Sequence, residues 1–170
     1  MRAYKGVFLM FFLIAMLSSC SITRRVPDGS YLLMGSEVKE DKATPKDERI
    51  KSEDAEVFIR QQPNRRFLGT NLYLQLYNMA KPGSQKWSSR TLRKWGEAPV
   101  LLDTNLVSQS AAVIDDYTRK RGYYNAENTF TIDTTSKKKK AYVTYTLKQN
   151  EPYRIGNINY YFRDDVLKSV

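Results

Sequence analysis

Residues Leu106 to Tyr161 carry the clearest secondary-structure pattern of the chain and read LVSQSAAVIDDYTRKRGYYNAENTFTIDTTSKKKKAYVTYTLKQNEPYRIGNINYY. The first part predicts a helix, because apolar side chains recur at spacings of three, four and seven and form one stripe. The stripe consists of Leu106, Val107, Ala111, Val113, Ile114 and Tyr117. Asp103 or Thr104 is expected to cap the helix start, and Gly122 is expected to end the helix in a left-handed conformation.

After Gly122 the period of the pattern falls to two, which predicts half-buried strands. Phe130 and Ile132 alternate with Thr129, Thr131 and Asp133, and a second run from Ala141 to Leu147 alternates in the same way. A third strand is expected to open at Tyr153. The helix stripe and the apolar strand faces need a common partner, so we expect them to pack together.

The N-terminus has the pattern of an export signal. Arg2 and Lys5 precede Val7 to Leu17, an apolar run of eleven residues. A membrane-spanning helix needs about 20 apolar residues, so this run fits a signal peptide, placed at residues 1–19, better than a spanning helix.

Leu17-Ser18-Ser19-Cys20 follows the apolar run and contains the only cysteine of the chain. The tetrapeptide resembles the bacterial lipobox, and this resemblance implies lipidation of Cys20 with acyl chains such as palmitate. An ordinary cleavage site with an unrelated cysteine is the alternative, although an unpaired thiol would be a liability in an exported protein. Residues 20–30 are then a tether, and no acid precedes Asp28. By resemblance to lipoprotein sorting, the expected location is the cell outer membrane, facing the periplasm.

The chain of 170 residues has a formal net charge of +10, and loss of Arg2 and Lys5 with the signal leaves +8. A basic surface attracts anions, but export makes nucleic acid an unsuitable partner. Anionic lipid headgroups and acidic proteins are the accessible anionic partners. With 41% hydrophobic residues, the chain is long enough for one core.

The N-terminal half predicts one strand and several short helices. The strand covers Tyr31 to Met34 with Val38 and is interrupted near Gly35. From Lys39 to Asp54, eleven of sixteen residues are charged, which predicts a solvated connection. Ser52 is expected to cap a helix that Pro63 ends. The segment Phe67 to Ala80 fits a helix or a strand, and its length favours the helix. Ser88 or Ser89 is expected to open a last helical turn that Gly96 stops.

The sequence gives no support for an enzyme. It has no histidine and no phosphate-binding Gly-x-x-x-x-Gly-Lys loop, and its one cysteine is assigned to the lipid. Adjacent carboxylates, as in Asp115-Asp116 and Asp164-Asp165, diverge by about 100 degrees on a helix. No catalytic residue, cofactor or metal ligand is therefore assigned.

The order of these elements resembles the POTRA module, the polypeptide-transport-associated domain of outer-membrane β-barrel assembly and translocation factors (the BamA/TamA superfamily). Three segments resemble the module itself: Tyr117–Ala126, Ala141–Leu147 and Glu151–Tyr160. Gln62–Gly69 and Lys94–Val100 resemble the inserted helical region of the lipoprotein-type, TamL-like members of Bacteroidetes. With the lipobox, the resemblance covers nearly all of the mature chain.

The resemblance implies an α+β fold of order β-α-α-β-β, with a three-stranded mixed sheet and helices on one face. The POTRA domain would span residues 31–152 with a helical insertion at 64–98, whose packing the sequence leaves open. Residues 153–170 would begin a second, incomplete POTRA, so that the chain is the N-terminal part of a longer protein. The expected partners are unfolded outer-membrane proteins, a TamB-like periplasmic protein, and the downstream POTRA and barrel of the full-length protein.

In the POTRA order, the last strand lies at the centre of the sheet and the preceding strand at its edge. An exposed edge can pair with an extended client segment without reading its sequence. The candidate edge residues are Glu127, Asn128, Thr129, Phe130, Thr131, Ile132 and Asp133. Several of them, and Asn125, are disfavoured in strands, so an edge protected from pairing is the alternative.

Two further alternatives remain at this stage. Lys137, Lys138, Lys139 and Lys140 form either a solvated hairpin tip or a basic contact for anionic headgroups or an acidic partner. The protein as a whole is either the periplasmic POTRA scaffold or a small stand-alone outer-membrane lipoprotein that binds a partner or an anionic envelope surface.

Overall fold

The structure is a computed structural model that describes residues 22–42, 44–45, 48–135 and 137–161. Within these ranges the chain forms three strands and four helices. In chain order they are β1 (Leu32–Glu40), α1 (Ser52–Glu56), α2 (Leu72–Met79), α3 (Trp87–Trp95), α4 (Thr104–Lys120), β2 (Thr129–Asp133) and β3 (Lys140–Leu147). The predicted α+β class is confirmed.

The strands form one mixed sheet in the order β1-β3-β2. β1 runs parallel to β3, from Leu32 opposite Lys140 to Glu40 opposite Leu147, and β2 runs antiparallel to β3. The register of β1 shifts between Leu33 and Gly35. A Cβ atom at Gly35 would lie 3.3 Å from the ring of Tyr142, so glycine lets the tyrosine cross this bulge. The interruption predicted near Gly35 is confirmed.

α4 covers one face of the sheet and supplies most of the helical core. Val107 and Ile114 of the predicted stripe are buried against Val143 and Tyr145, which alternate inward along β3. The carboxylate of Asp103 caps the helix by accepting the N–H groups of residues 105 and 106 at 2.9 and 3.4 Å. The cap is therefore Asp103 and not Thr104.

Gly122 follows the end of α4 with a φ of +96°, the left-handed value that glycine adopts without strain. The predicted stop is therefore confirmed.

α1 differs from its prediction at both ends. Lys51 occupies the N-cap position without a side-chain cap, and the N–H of Ser52 donates to Glu40 at 2.6 Å. Ser52 is thus tied to the end of β1 instead of capping the helix. α1 ends at Glu56, well before Pro63. Ala55 of this single turn and Ile59, three residues after it, both reach the core.

α2 and α3 form an antiparallel hairpin. The helix favoured for Phe67 to Ala80 is confirmed for Leu72–Met79, whereas Phe67 and Thr70 form an isolated β-bridge before it. α3 begins at Trp87, one residue before the predicted start, and ends before Gly96 as expected. The two helices are in close contact at Gly96, where a Cβ atom would lie 2.4 Å from the backbone nitrogen of Tyr77. Glycine is required here by this close approach.

The α2–α3 hairpin packs on the sheet face opposite α4. Leu74 of α2 is buried with Leu32 and Met34, which point away from the α4 side of β1. The helices outside the insertion, α1 and α4, lie on one face as expected, since Ala55 of α1 and Ile114 of α4 share one core cluster. β1 carries apolar side chains on both faces and each face needs a cover, which the insertion supplies on the second face. Asn64 also holds the insertion to the domain by bonds to Ala98 and Val100. The region 64–98 thus packs on the domain.

The connection between β1 and α1 was predicted to be solvated, and its last part is not. Ile50 is buried, and its backbone N–H and C=O both bond to the amide of Gln149 at 2.6 and 2.8 Å. In the sequence, the charged residues around Ile50 indicate an exposed connection and give no sign of this attachment. The prediction of a fully solvated connection is therefore wrong.

The predicted third strand is absent from the described residues Tyr153–Tyr161, which form neither helix nor strand. The N–H of Tyr153 donates to the carbonyl of Gly122 at 2.8 Å, and Arg154 pairs with Glu48 at 2.5 Å. These contacts hold the start of the segment beside the end of α4 and beside the β1–α1 connection. Residues 162–170 of the expected second POTRA lie outside the described residues, and the domain boundary at residues 152–153 stays a prediction.

Candidate binding edge

The outer side of β1 is covered by other parts of the chain. Leu33 donates its N–H to Val100 at 2.9 Å, and Leu102 donates to Tyr31 at 2.8 Å. Arg66 donates to the carbonyl of Met34 at 2.5 Å. These bonds use the outward backbone groups at the start of β1, so this first part of the edge is not an open template for another strand.

β2 has β3 as its one neighbour in the described sheet. The N–H of Glu127 donates to Lys148 at 2.8 Å, and Thr129 and Thr131 lie opposite Thr146 and Thr144. Backbone groups point alternately to the two sides along an antiparallel strand. The N–H and C=O groups of residues 128, 130 and 132 therefore point outward, away from β3.

The side chains of β2 divide between two chemically different faces. Ile132 is half-buried and packs against the core. Phe130 lies on the same face, 39% exposed, with its ring centroid 6.3 Å from that of Tyr145. Thr129 and Thr131 lie on the opposite, polar face. An added strand would thus meet apolar side chains on one face and hydroxyls on the other.

Polar residues fix the N-terminal end of the β2 edge without covering its outward backbone groups. Asn128 turns its amide towards α4 and donates to Thr118 at 3.1 Å and to Asp115 at 3.4 Å. Glu127 pairs with Lys148 at 2.5 Å, and this hydrogen bond and charge raise the pKa of Lys148.

At the C-terminal end of β2, Asp133 accepts the N–H and hydroxyl of Thr135 at 2.9 and 3.0 Å. The residues disfavoured in strands, Glu127, Asn128 and Asp133, therefore make local contacts at the two ends of β2.

The structure divides the predicted lysine cluster. Lys137 and Lys138 are exposed. Lys139 instead folds back and donates to the carboxylate of Asp28 at 2.6 Å and to the carbonyl of Val26 at 3.1 Å. Lys140 begins β3 opposite Leu32. Lys139 is therefore tied to the domain, whereas Lys137 and Lys138 are available as a basic contact at the hairpin tip and Lys140 is half-exposed.

The signal segment 1–19 and Cys20 lie outside the described residues. Across the described ranges, starting at residue 22, no helix is long and apolar enough to cross a membrane.

Acidic pairs give no candidate for catalysis in the described part of the chain. Asp115 pairs with Arg119 at 3.0 Å, and Asp116 pairs with Lys120 at 2.6 Å. Each of these carboxylates is paired with a basic side chain one turn further along α4. The described residues also contain no group of three His, Cys, Asp or Glu side chains that could hold a metal ion.

Two features of the molecule were not predicted from the sequence. The buried amide of Gln149 fastens the β1–α1 connection to the end of β3, and no local pattern marks a single glutamine for that role. α3 was predicted as a short helical turn, but its exposed face with Trp87 and Trp95 was not. The sequence feature that could have indicated this face is the pair of tryptophans in a strongly basic segment.

A comparison of the chain with protein-family models, with curated proteins and with solved structures finds no match.

Proposed function

We propose that this chain is the N-terminal, periplasmic POTRA part of an outer-membrane protein assembly or translocation factor, tethered to the outer membrane through Cys20. The three-stranded mixed sheet with β3 at its centre supports this proposal. So do the resemblance of the sequence segments and the lipobox. In this role the domain is a scaffold that holds unfolded barrel precursors, or a TamB-like periplasmic protein, close to the downstream POTRA and barrel.

The open edge of β2 is the observation on which the binding mode rests. An extended client segment would add beside β2 as a fourth strand and pair with the outward groups of residues 128, 130 and 132. Each such hydrogen bond contributes only about 0.5–1.5 kcal/mol net, so a five-residue edge gives weak binding. Backbone pairing does not depend on client sequence. Weak, unspecific binding suits a protein that must pass on many different precursors.

Amide hydrogen exchange tests this binding mode residue by residue. On addition of an unfolded barrel precursor, the outward amides of Asn128, Phe130 and Ile132 are expected to gain protection. The inward amides of Thr129 and Thr131 already bond to β3, so they are expected to change little. Equal protection of both sets, or of neither set, would contradict strand addition at this edge.

A proline at position 130 provides a second test. Proline is tolerated on an edge strand where the N–H points outward, so Phe130→Pro should leave the β2–β3 pairing largely intact. It removes the central outward donor and is expected to weaken precursor binding at least about 5-fold, the equivalent of one hydrogen bond of about 1 kcal/mol. Phe130→Ala loses the same ring but keeps the donor and is the matched control. Equal binding by the two variants would refute the proposed edge.

A further inference from the structure

α3 exposes both tryptophans of the chain. Trp87 and Trp95 are 79% and 68% exposed, although tryptophan is usually well buried. Ser89 is the buried residue of α3. At about 100° per residue, Trp87 and Lys94 lie opposite Ser89, with Arg90 and Trp95 at their sides. The solvent face of α3 thus combines two aromatic rings with two cations.

The net charge of the mature chain is concentrated in the segment that contains α3. Between Glu56 and Glu97 there are eight Lys or Arg residues and no Asp or Glu. Of the 28 Lys and Arg residues of the chain, two more belong to the signal segment, and the remaining 18 equal the 18 Asp and Glu residues in number. The rest of the mature chain is therefore formally neutral, and the basic character belongs to this segment.

Several arginines around the α2–α3 hairpin have structural partners. Arg93 donates to the carbonyls of Lys81 and Ser84 at 3.0 and 2.5 Å and fastens the connection between α2 and α3. Arg25 stacks on Tyr77 with 4.9 Å between guanidinium and ring. Such contacts stiffen the hairpin. The exposed cations on and next to α3 are Lys81, Lys86, Arg90 and Lys94, of which Arg90 also donates to the carbonyl of Gln85 at 3.4 Å.

A second group of cations lies at the end of α2. Arg24, Arg25 and Lys81 line a cleft of about 330 Å³ at the end of α2. The N–H of Lys81 donates to Ser89 at 3.4 Å, so this cleft lies next to the first turns of α3. Ser89 is on the buried side of α3, so these cations lie beside the helix and not on its solvent face.

We propose that the solvent face of α3 binds the surface of a lipid bilayer that carries anionic phospholipid headgroups. Tryptophan prefers the headgroup level of a membrane, because its ring is apolar and its N–H is polar. Lysine and arginine near the surface add attraction to anionic lipids. The nine residues of α3 span only about 13 Å, so the helix lies along the interface. The segment contains no acidic side chains, so nothing within it repels the anionic headgroups.

Intrinsic fluorescence provides a direct test, because the only two tryptophans lie on α3. The full chain is mixed with vesicles of phosphatidylcholine alone or with phosphatidylglycerol added. With the anionic vesicles, the emission is expected to shift to the blue and to be shielded from acrylamide. Val7 to Leu17 and Cys20 offer other routes to a membrane, but binding through them alone leaves the tryptophan emission unchanged. That result would overturn the proposal.

Paired charge-neutral variants locate the cations. Arg90→Gln with Lys94→Gln is expected to lower partitioning into anionic vesicles by about 30-fold, or about 5-fold for each charge. Lys137→Gln with Lys138→Gln removes the same charge elsewhere and is expected to have a much smaller effect. All four side chains are exposed, so circular dichroism should be unchanged. A larger loss in the control pair, or an equal blue shift with polyglutamate in place of vesicles, would refute a lipid-binding α3.

Discussion

Replacing Gln149 by methionine tests how strongly one buried amide stabilises the domain. Gln149 is 1% exposed, and its amide satisfies both backbone groups of Ile50, which lies 99 positions away. Methionine keeps the approximate volume and removes both hydrogen bonds. Each buried group left without a partner costs about 1–3 kcal/mol, so Gln149→Met is expected to lower the free energy of unfolding by about 2–6 kcal/mol.

Urea unfolding followed by far-ultraviolet circular dichroism measures this loss. With a slope of about 2 kcal/mol/M, the midpoint should fall by at least about 1 M. Gln109→Met is the matched control, because its amide makes only an exposed bond to Arg60, and its effect should stay within about 0.5 kcal/mol. The amide of Ile50 should also lose exchange protection in Gln149→Met. A variant as stable as the control would refute the reasoning.

Two smaller changes test the end of α4 and the hairpin tip. Gly122→Ala should lower the free energy of unfolding by about 1–2 kcal/mol, because φ is left-handed and the new Cβ lies 3.1 Å from the carbonyl oxygen of Tyr153. Thermal melts measure this loss. Gly156→Ala is the control, since its Cβ meets no other atom within 4 Å, and it should melt like the wild type. The hydrogen bond and charge of Lys139 lower the pKa of Asp28 below 3.8, so any stabilisation from this pair is present at neutral pH and lost as the pH falls through that lowered pKa. A carboxyl titration by NMR should show the Asp28 midpoint rising in Lys139→Gln, and an unchanged midpoint would contradict the pairing.

The elements that the sequence predicted well are those whose pattern is local. α4 combines a cap at Asp103, a stripe through Val107 and Ile114 and a stop at Gly122, all within twenty residues. β3 alternates strictly between Ala141 and Leu147 because only one of its faces enters the main core. In both cases the residues that make the pattern are also those that fix the element, so the prediction needed no tertiary information.

The wrong predictions depend on contacts between distant residues. The alternation after Tyr153 is typical of a strand, but a strand needs a neighbour, and the bond of Tyr153 to Gly122 holds the start of this segment beside the end of α4. The charged residues around Ile50 predicted that this connection is exposed to solvent. In the structure, Ile50 is buried and bonds to Gln149, which is distant in the sequence. The packing of the insertion, which the sequence left open, also depends on a distant contact, because no periodicity within β1 identifies Leu74 as the residue that covers Leu32 and Met34.

The candidate edge was predicted in part. Alternation alone places Phe130 and Ile132 on one face and Thr129 and Thr131 on the other. That β2 is an edge depends on the order of the strands, which the sequence supplied only through the family resemblance. The link from Asn128 to α4 could be seen only in the structure. In a strand pattern, asparagine indicates poor strand propensity and does not show which residue its side chain contacts.

The parallel pairing of β1 with β3 has a consequence for the order of folding. Leu32 and Lys140 are neighbours in the sheet, yet more than a hundred residues separate them in the chain. Closing so long a loop is entropically costly and slow. During synthesis β1 emerges early and has no strand to join until β3 follows, whereas the α2–α3 hairpin needs only local contacts. The sheet therefore assembles late, around a helical hairpin that can form first.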